Sequence, residues 1–400
     1  AKAGDAVLGC PPPKPAALLR ELMHMGQVIQ SHGMHFFELA GPDLILGFDH
    51  DPATRNVVGL VQADPELTLK AVRLRKFGQS IISALGERSV HPTFAVPGGV
   101  SHAFTIGARD SLLAQLDEQI ATIQTGLQIA TRWVEANLDT IREFAVFPTG
   151  YMSLVTPQNS LELYDGKIRL VGRDGQQLEK FDPQSYLDYI AEHVEPWSYL
   201  KFPYYKKLGY PEGVYRVGPL GRLNAVDQID TPLANAEFQR FKALNHGLPV
   251  ENTLHYHYAR LIETLFAAER SRVLLEDPDI LSTDILNTHQ EPREQGVGVI
   301  EAPRGTLIHH YWVNSYGQIS KANLIVATGH NNYAMSKAVD DVAKTYVHGS
   351  EISEGMINRV EHAIRAHDPC LSCSTHAVGS MPMEVSVYDP QGNLLRVIKR

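Results

Sequence analysis

Cys370 and Cys373 stand three positions apart near the end of a 400-residue chain that has only one other cysteine, and His376 follows three positions later. Side chains at i and i+3 share a helix face, so the two sulfurs can converge on one ion. Asp368 followed by Pro369 suits the start of such a helix, because aspartate caps and proline is tolerated in the first turn. Three chemistries are compatible with the triplet: half of a soft-metal thiolate site, a redox Cys-x-x-Cys pair, or two small buried residues without a role. Zinc would need two more strong ligands, and none of the 18 histidines forms a pair at the distance from the cysteines that such a site expects. A thioredoxin-like pair would need a β-α-β context, whereas the preceding stretch, 354–367, reads as a helix. Cys10 sits in a run with Pro11, Pro12 and Pro13, without a chelating neighbour, and reads as a thiol without a role.

The elements that must position these residues follow from periodicity. Leu18, Leu19, Leu22, Met23, Val28 and Ile29 predict an amphipathic helix from Lys14, with His24, His32 and His35 as surface or satisfied core residues. After Asp110-Ser111, read as a cap, Leu116, Ile120, Ile123, Leu127, Ala130, Val134, Leu138 and Ile141 recur at spacings of four and three, which predicts one long helix. Stretches 62–86 and 251–275 read as helices too. Two Asp-Gly turns flank an alternating run within 163–181, a β-meander, and 296–328 is β-rich. The sum is one α+β unit, mainly α: a central bundle of long helices with a peripheral β-meander.

With 44% hydrophobic and 20% charged residues the chain can bury a large core, and three cysteines give no disulfide framework. A net charge of −9 without any Lys/Arg-rich run disfavours nucleic acid and anionic membrane as partners. No apolar stretch is long enough to span a bilayer, and a reducing cytoplasm is the expected location. No Gly-x-Gly-x-x-Gly fingerprint appears, so NAD is not expected to bind this chain.

Four stretches, 217–224, 296–311, 323–332 and 354–376, resemble in content and order the large, catalytic subunit of [NiFe] hydrogenases. The likeness runs along the whole chain and is nearest to the cytoplasmic NAD-reducing type. The Asp-Pro-Cys-x-x-Cys-x-x-His and Glu-Ala-Pro-Arg-Gly motifs are specific to that family. The resemblance implies that Cys370 is a terminal nickel thiolate and Cys373 a bridge to an iron carrying cyanide and carbon monoxide. Soft thiolates suit such metals. It further implies that Arg304 holds its guanidinium over the metals, that Thr328 donates to an iron cyanide, and that His376 and the Leu324 carbonyl help to hold magnesium. Without the motif, Arg304 reads as a salt-bridge partner of Glu301 or another carboxylate. His309 and His310 point to opposite faces of a strand, and neither is given a role.

The implied reaction is heterolytic cleavage of H2. Electrons would leave through a small iron–sulfur subunit and a flavin-containing module that reduces NAD, since this chain keeps no cysteines for a cluster. The family's other two nickel cysteines lie upstream of the stretch that residues 1–9 resemble, so an amino-terminal truncation is expected. The domains read as 1–376, the large-subunit domain, and 377–400, a β-hairpin extension around the Asp389-Pro390-Gln391-Gly392 turn. The family implies that an endopeptidase removes this extension after nickel-insertion proteins have acted. Two rivals remain: a nickel-free subunit like that at the quinone site of complex I, and a non-redox Cys/His metal-binding protein.

Overall fold

The computed structural model describes residues 1–349, 352–370, 384–389 and 391–399. Its organising element is the helix His255–Glu276, buried on nearly every face. A helix apolar all round needs neighbours all round. These are the helices Lys14–Met34, Leu116–Ala136, Pro232–Ala243 and Gly218–Ala225, and Lys14–Met34 in turn packs along Pro65–Gly86. The helices expected from Lys14, over 62–86 and over 251–275 are therefore present, at the centre of the principal apolar core. Lys14–Met34 starts with Pro15 in its first turn and runs on into π-helical turns, His35–Ala40 and Pro42–Leu46.

The single long helix expected after Asp110 is three helices, Ile106–Leu113, Leu116–Ala136 and Leu138–Glu143. Its cap is Thr105, whose hydroxyl accepts from the Ala108 N–H, while Asp110 pairs with Arg109 inside the first helix. The breaks have side-chain causes. Gln115 donates to the Ser111 carbonyl and Asn137 to that of Trp133, so each side chain takes over a carbonyl that a continuous helix would use. Leu116, Ile120, Ile123, Leu127 and Ala130 form the buried stripe, and Leu138, past the second break, is exposed.

The β-rich stretches form two sheets. Gly150–Val155, Lys167–Val171 and Gln177–Phe181 make the meander, with Tyr215–Arg216 added in parallel beside Gly150. Gln295–Ala302, Gly305–Val313 and Ile319–Ile325 make a three-stranded antiparallel sheet. Met152, Leu154, Leu170, Val217, Val299 and Ile308 belong to the apolar cluster the two sheets share.

Ser353 caps the helix Glu354–Arg365, its hydroxyl accepting from the Met356 N–H. Asp368 does not start a further helix as expected. It has φ 54° and its N–H returns to the Arg365 carbonyl, so it closes the preceding helix, a left-handed position that aspartate tolerates. Cys370 is accordingly not helical. Cys373 and His376 lie outside the described residues. Glu384–Tyr388 pairs antiparallel with Leu394–Lys399, the expected terminal hairpin. Among the described residues no helix is long and apolar enough to cross a membrane.

Candidate metal centre

Arg304 sits at the tip of a hairpin whose two-residue turn, Pro303-Arg304, joins Gln295–Ala302 to Gly305–Val313. The tip lies hard against the start of the Gly218–Ala225 helix. Gly305 has φ 140°, and a Cβ there would fall 2.2 Å from Val217 Cγ2, so only glycine permits the approach. From the tip Arg304 reaches forward to the end of the Glu354–Arg365 helix. Its Nε donates to the Asp368 carbonyl (2.6 Å) and its Nη2 to Asp368 Oδ1 (3.2 Å). The guanidinium is 27% exposed and Asp368 only 5%.

Of the carboxylates the salt-bridge reading allowed, Arg304 pairs with Asp368 and not with Glu301. The Glu301 side chain is fully buried and meets Arg222 Nη1 (2.8 Å), the Thr306 hydroxyl (2.7 Å) and the Leu154 N–H (2.9 Å). Arg222 also grips Glu263 through Nε and Nη2, both at 2.6 Å, and donates to the Ala302 and Pro303 carbonyls. His32 Nε2 lies 3.0 Å from Glu263 Oε2. Burial opposes charge on both carboxyls. At Glu263 the two Arg222 contacts and His32 outweigh it and hold the carboxyl below its ordinary value, whereas burial prevails at Glu301 and pushes it up. The network fixes the two carbonyls that precede Arg304, and so fixes the hairpin tip.

Thr328 lies in the 3-10 turn Ala327–Asn331 after the edge strand, and its buried hydroxyl accepts from the Cys370 N–H at 3.2 Å. Arg304, Thr328, Asp368 and Cys370, three widely separated pieces of chain, are thus brought together. Leu324 lies upstream on the edge strand, opposite His309, with its side chain 45% exposed. His310 is satisfied between Tyr186 and Gln295. His309 lines a cavity of about 730 Å3 with Lys2, Arg20, His24 and Tyr164. His24 is a satisfied core residue, bonded to the Glu301 carbonyl, whereas His35 meets the Arg365 carbonyl through Nε2 and leaves its buried Nδ1 unpartnered. Cys10 is fully buried and its thiol is pushed up by that burial, which suits packing better than reactivity.

Do these residues fit a nickel–iron group? Among the described residues no group of three or more His, Cys, Asp or Glu side chains is arranged to hold a metal ion by itself. Beside Cys370, however, His367 Nε2, Asp368 Oδ2 and Arg260 Nε are buried without hydrogen-bond partners. Burial also lowers His367 to about 3, leaving its ring neutral. Unpaired polar atoms around a soft donor fit a site whose occupant completes it.

Sequence reasoning missed Arg222 in a role, and Glu263 and Arg260 altogether. The available signal was a pair of opposite charges at i and i+3, Arg260 and Glu263, inside the otherwise uncharged run from Ala259 to Ala268.

A helical core whose hairpin-borne arginine meets the segment leading into Cys370 fits a hydrogenase large subunit, and comparison with known proteins agrees. Residues 145–376 match the family model described as nickel-dependent hydrogenase. The chain belongs to the nickel-dependent hydrogenase family. It is 43% identical over 390 residues to the NAD-reducing hydrogenase HoxS subunit beta of Cupriavidus necator, covering 95% of this chain and 80% of that protein. Among solved structures, an NAD+-reducing [NiFe]-hydrogenase in the H2-reduced state superposes with a TM-score of 0.90 at 44% identity, over 94% of this chain and 83% of that one. The Ni-Fe-Se hydrogenase of D. vulgaris Hildenborough shares the fold, with a TM-score of 0.73 at 19% identity over 94% and 85% of the two chains. Both rival readings fall away.

Proposed function

We propose that the chain is the catalytic subunit of a cytoplasmic enzyme that cleaves H2 heterolytically and delivers the electrons to NAD+, through an iron–sulfur small subunit and a flavin-containing diaphorase module. The observation that carries this reading is the pair of clamps on one stretch: Arg304 on Asp368 and Thr328 on the Cys370 N–H. Together they fix the backbone that carries Cys370.

A nickel–iron group with cyanide and carbon monoxide on the iron, when bound, supplies the soft metals that polarise H2 and take up its electrons. Cys370 and Cys373 would hold it, and His376 with the Leu324 carbonyl would help to hold magnesium. Thr328 has its hydroxyl hydrogen available for a cyanide nitrogen, because its oxygen accepts from Cys370. Arg304 keeps a permanent positive charge in place, since two of its N–H groups are spent on Asp368 and the fork cannot swing. It does not give up its own proton readily, so the proton released on cleavage is received at Cys370 Sγ. The enzyme purified with its partners is expected to contain stoichiometric nickel and to reduce NAD+ under H2. Absence of nickel, together with absence of H2-dependent reduction, would overturn the reading.

Residues 377–400 are a precursor extension, cut off between His376 and Ala377 by an endopeptidase after nickel-insertion proteins have loaded the site. The motivation is steric: a hairpin attached so close to Cys370 would hold open a site that the clamps otherwise close. Intact mass of the large subunit in fully active enzyme is expected to end at His376. A subunit retaining the hairpin at full activity excludes the processing step.

A further inference from the structure

Behind the Arg304–Asp368 clamp, the helices His255–Glu276 and Glu354–Arg365 and the π-helical turn Pro42–Leu46 bring two buried imidazoles and a carboxylate into one hydrogen-bonded chain. His257 Nε2 and His362 Nε2 are 2.9 Å apart, and His362 Nδ1 is 2.7 Å from Asp43 Oδ2. Arg260 Nη1 lies 3.5 Å from His257 Nδ1, and Arg260 Nη2 donates to the Ala366 carbonyl at 2.9 Å. His35 stacks on His257, and Phe48 and Phe144 turn their edges towards His362. Asp43 is held further by Arg365, Arg55 and Asn358.

The hydrogen-bond directions follow from the charges. Burial disfavours the Asp43 carboxylate, but His362, Arg365 and Asn358 outweigh it and keep the group ionised, so it accepts. Burial pushes both imidazoles below their ordinary value, His257 further through its neighbours His362, His35, Arg260 and Arg365, so both are neutral. His362 must then donate from Nδ1 and accept at Nε2, and His257 must donate from Nε2. That leaves His257 Nδ1 as an acceptor facing Arg260. From Arg260 through His257 and His362 to Asp43 the bonds then point one way. At the outer end the buried Asp43 borders a surface cleft of about 590 Å3, lined by Glu38, Glu354 and Glu361 together with Arg55 and Arg365. The inner end borders the unpartnered Arg260 Nε and Asp368 Oδ2.

We propose that His257 and His362 form a proton conduit between the buried site before Cys370 and the acidic cleft at Asp43. The inference rests on the hydrogenase reading, because cleavage of H2 frees protons in the interior that must reach water. A proton arriving at His257 Nδ1 displaces the long Arg260 contact. The His257 Nε2–H bond breaks as a bond forms to His362 Nε2, and the His362 Nδ1–H bond breaks as one forms to Asp43 Oδ2. Asp43 then releases its proton to the cleft. One proton enters, one leaves, no electron moves, and the rings finish in opposite tautomers that must be restored before the next passage.

The test uses the assembled enzyme under D2 in ordinary water, where formation of HD and H2 needs proton exchange with solvent but no electron acceptor. His362→Asn keeps a donor towards Asp43 and His257→Gln keeps one towards His362, yet neither can relay. Both are expected to retain nickel and to slow exchange by about tenfold, less than the roughly 10²–10⁴ that a group transferring the proton directly contributes. Exchange at the parent rate in both variants, with nickel unchanged, overturns the conduit and leaves the hydrogenase reading intact. A parent that holds no nickel and exchanges nothing overturns both. Should a variant fail to load nickel, nitrogen NMR of 15N-histidine-labelled parent enzyme decides: His362 protonated at Nδ1 with His257 protonated at Nε2 supports the conduit, and the opposite tautomers exclude it.

Discussion

Replacing Arg222 with methionine is expected to destabilise the subunit by about 3–5 kcal/mol, because it strands two buried carboxylates on one side of the core. Glu263 and Glu301 have fully buried side chains and share this one guanidinium. Removing it leaves at least one of them to be neutralised or flooded with water. The loss is a large share of the roughly 5–15 kcal/mol by which a typical folded domain is stable. The same change frees the Ala302 and Pro303 carbonyls, so Arg304 should lose its fixed position even in the fraction that folds. Denaturant midpoints of the assembled enzyme measure the effect. Adding Glu263→Gln and Glu301→Gln to Arg222→Met removes the uncompensated charge and should recover much of the stability while leaving activity low. A single variant as stable as the parent would show that the network is not a structural keystone.

Changing Cys370 to serine, or Cys373 to serine, is expected to abolish nickel retention and H2-dependent dye reduction together. A serine oxygen is hard and remains protonated at neutral pH, so it replaces neither the softness nor the charge of a thiolate. The Cys370 case isolates the sulfur well. Thr328 is bonded to the backbone N–H at that position, so the bond survives the substitution and the stretch keeps its anchor. Either variant with nickel content and activity near those of the parent would mean that the metal is held elsewhere.

Local signals were readable where one face of an element alternates with solvent or where a turn demands particular residues. The helix Pro65–Gly86, the meander around Asp174-Gly175 and the hairpin around Asp389 to Gly392 all follow from such signals. The apolar spacing after Leu116 was equally regular, yet it carried no trace of the breaks at Gln115 and Asn137. There the deciding event is a side chain bonding a carbonyl four residues back, which periodicity does not record. In the site, the family resemblance pointed to Arg304, Thr328 and Cys370, but not to who holds whom. Glu301 stands three residues from Arg304 in sequence, and in the structure it turns away to Arg222, while Asp368, 64 residues on, takes its place. Pairings of that separation depend on the whole fold. Asp368 was misread for a related reason: aspartate serves both ends of helices, and only the backbone angle tells which.

The three pieces that meet before Cys370 also leave the ribosome in a fixed order, Arg304 first, Thr328 next and Cys370 another 42 residues later. At about 5–20 residues per second the thiol emerges roughly 2–8 s after the hydroxyl that will receive its N–H. By then Arg222, Glu263, Glu301 and the hairpin tip have all been synthesised. The cavity wall can therefore set like a mould ahead of its casting, and the metal-bearing stretch is the last part laid into it. On the proposed reading, whatever delivers nickel would meet a wall already shaped by Arg222, Glu263, Glu301 and the hairpin tip.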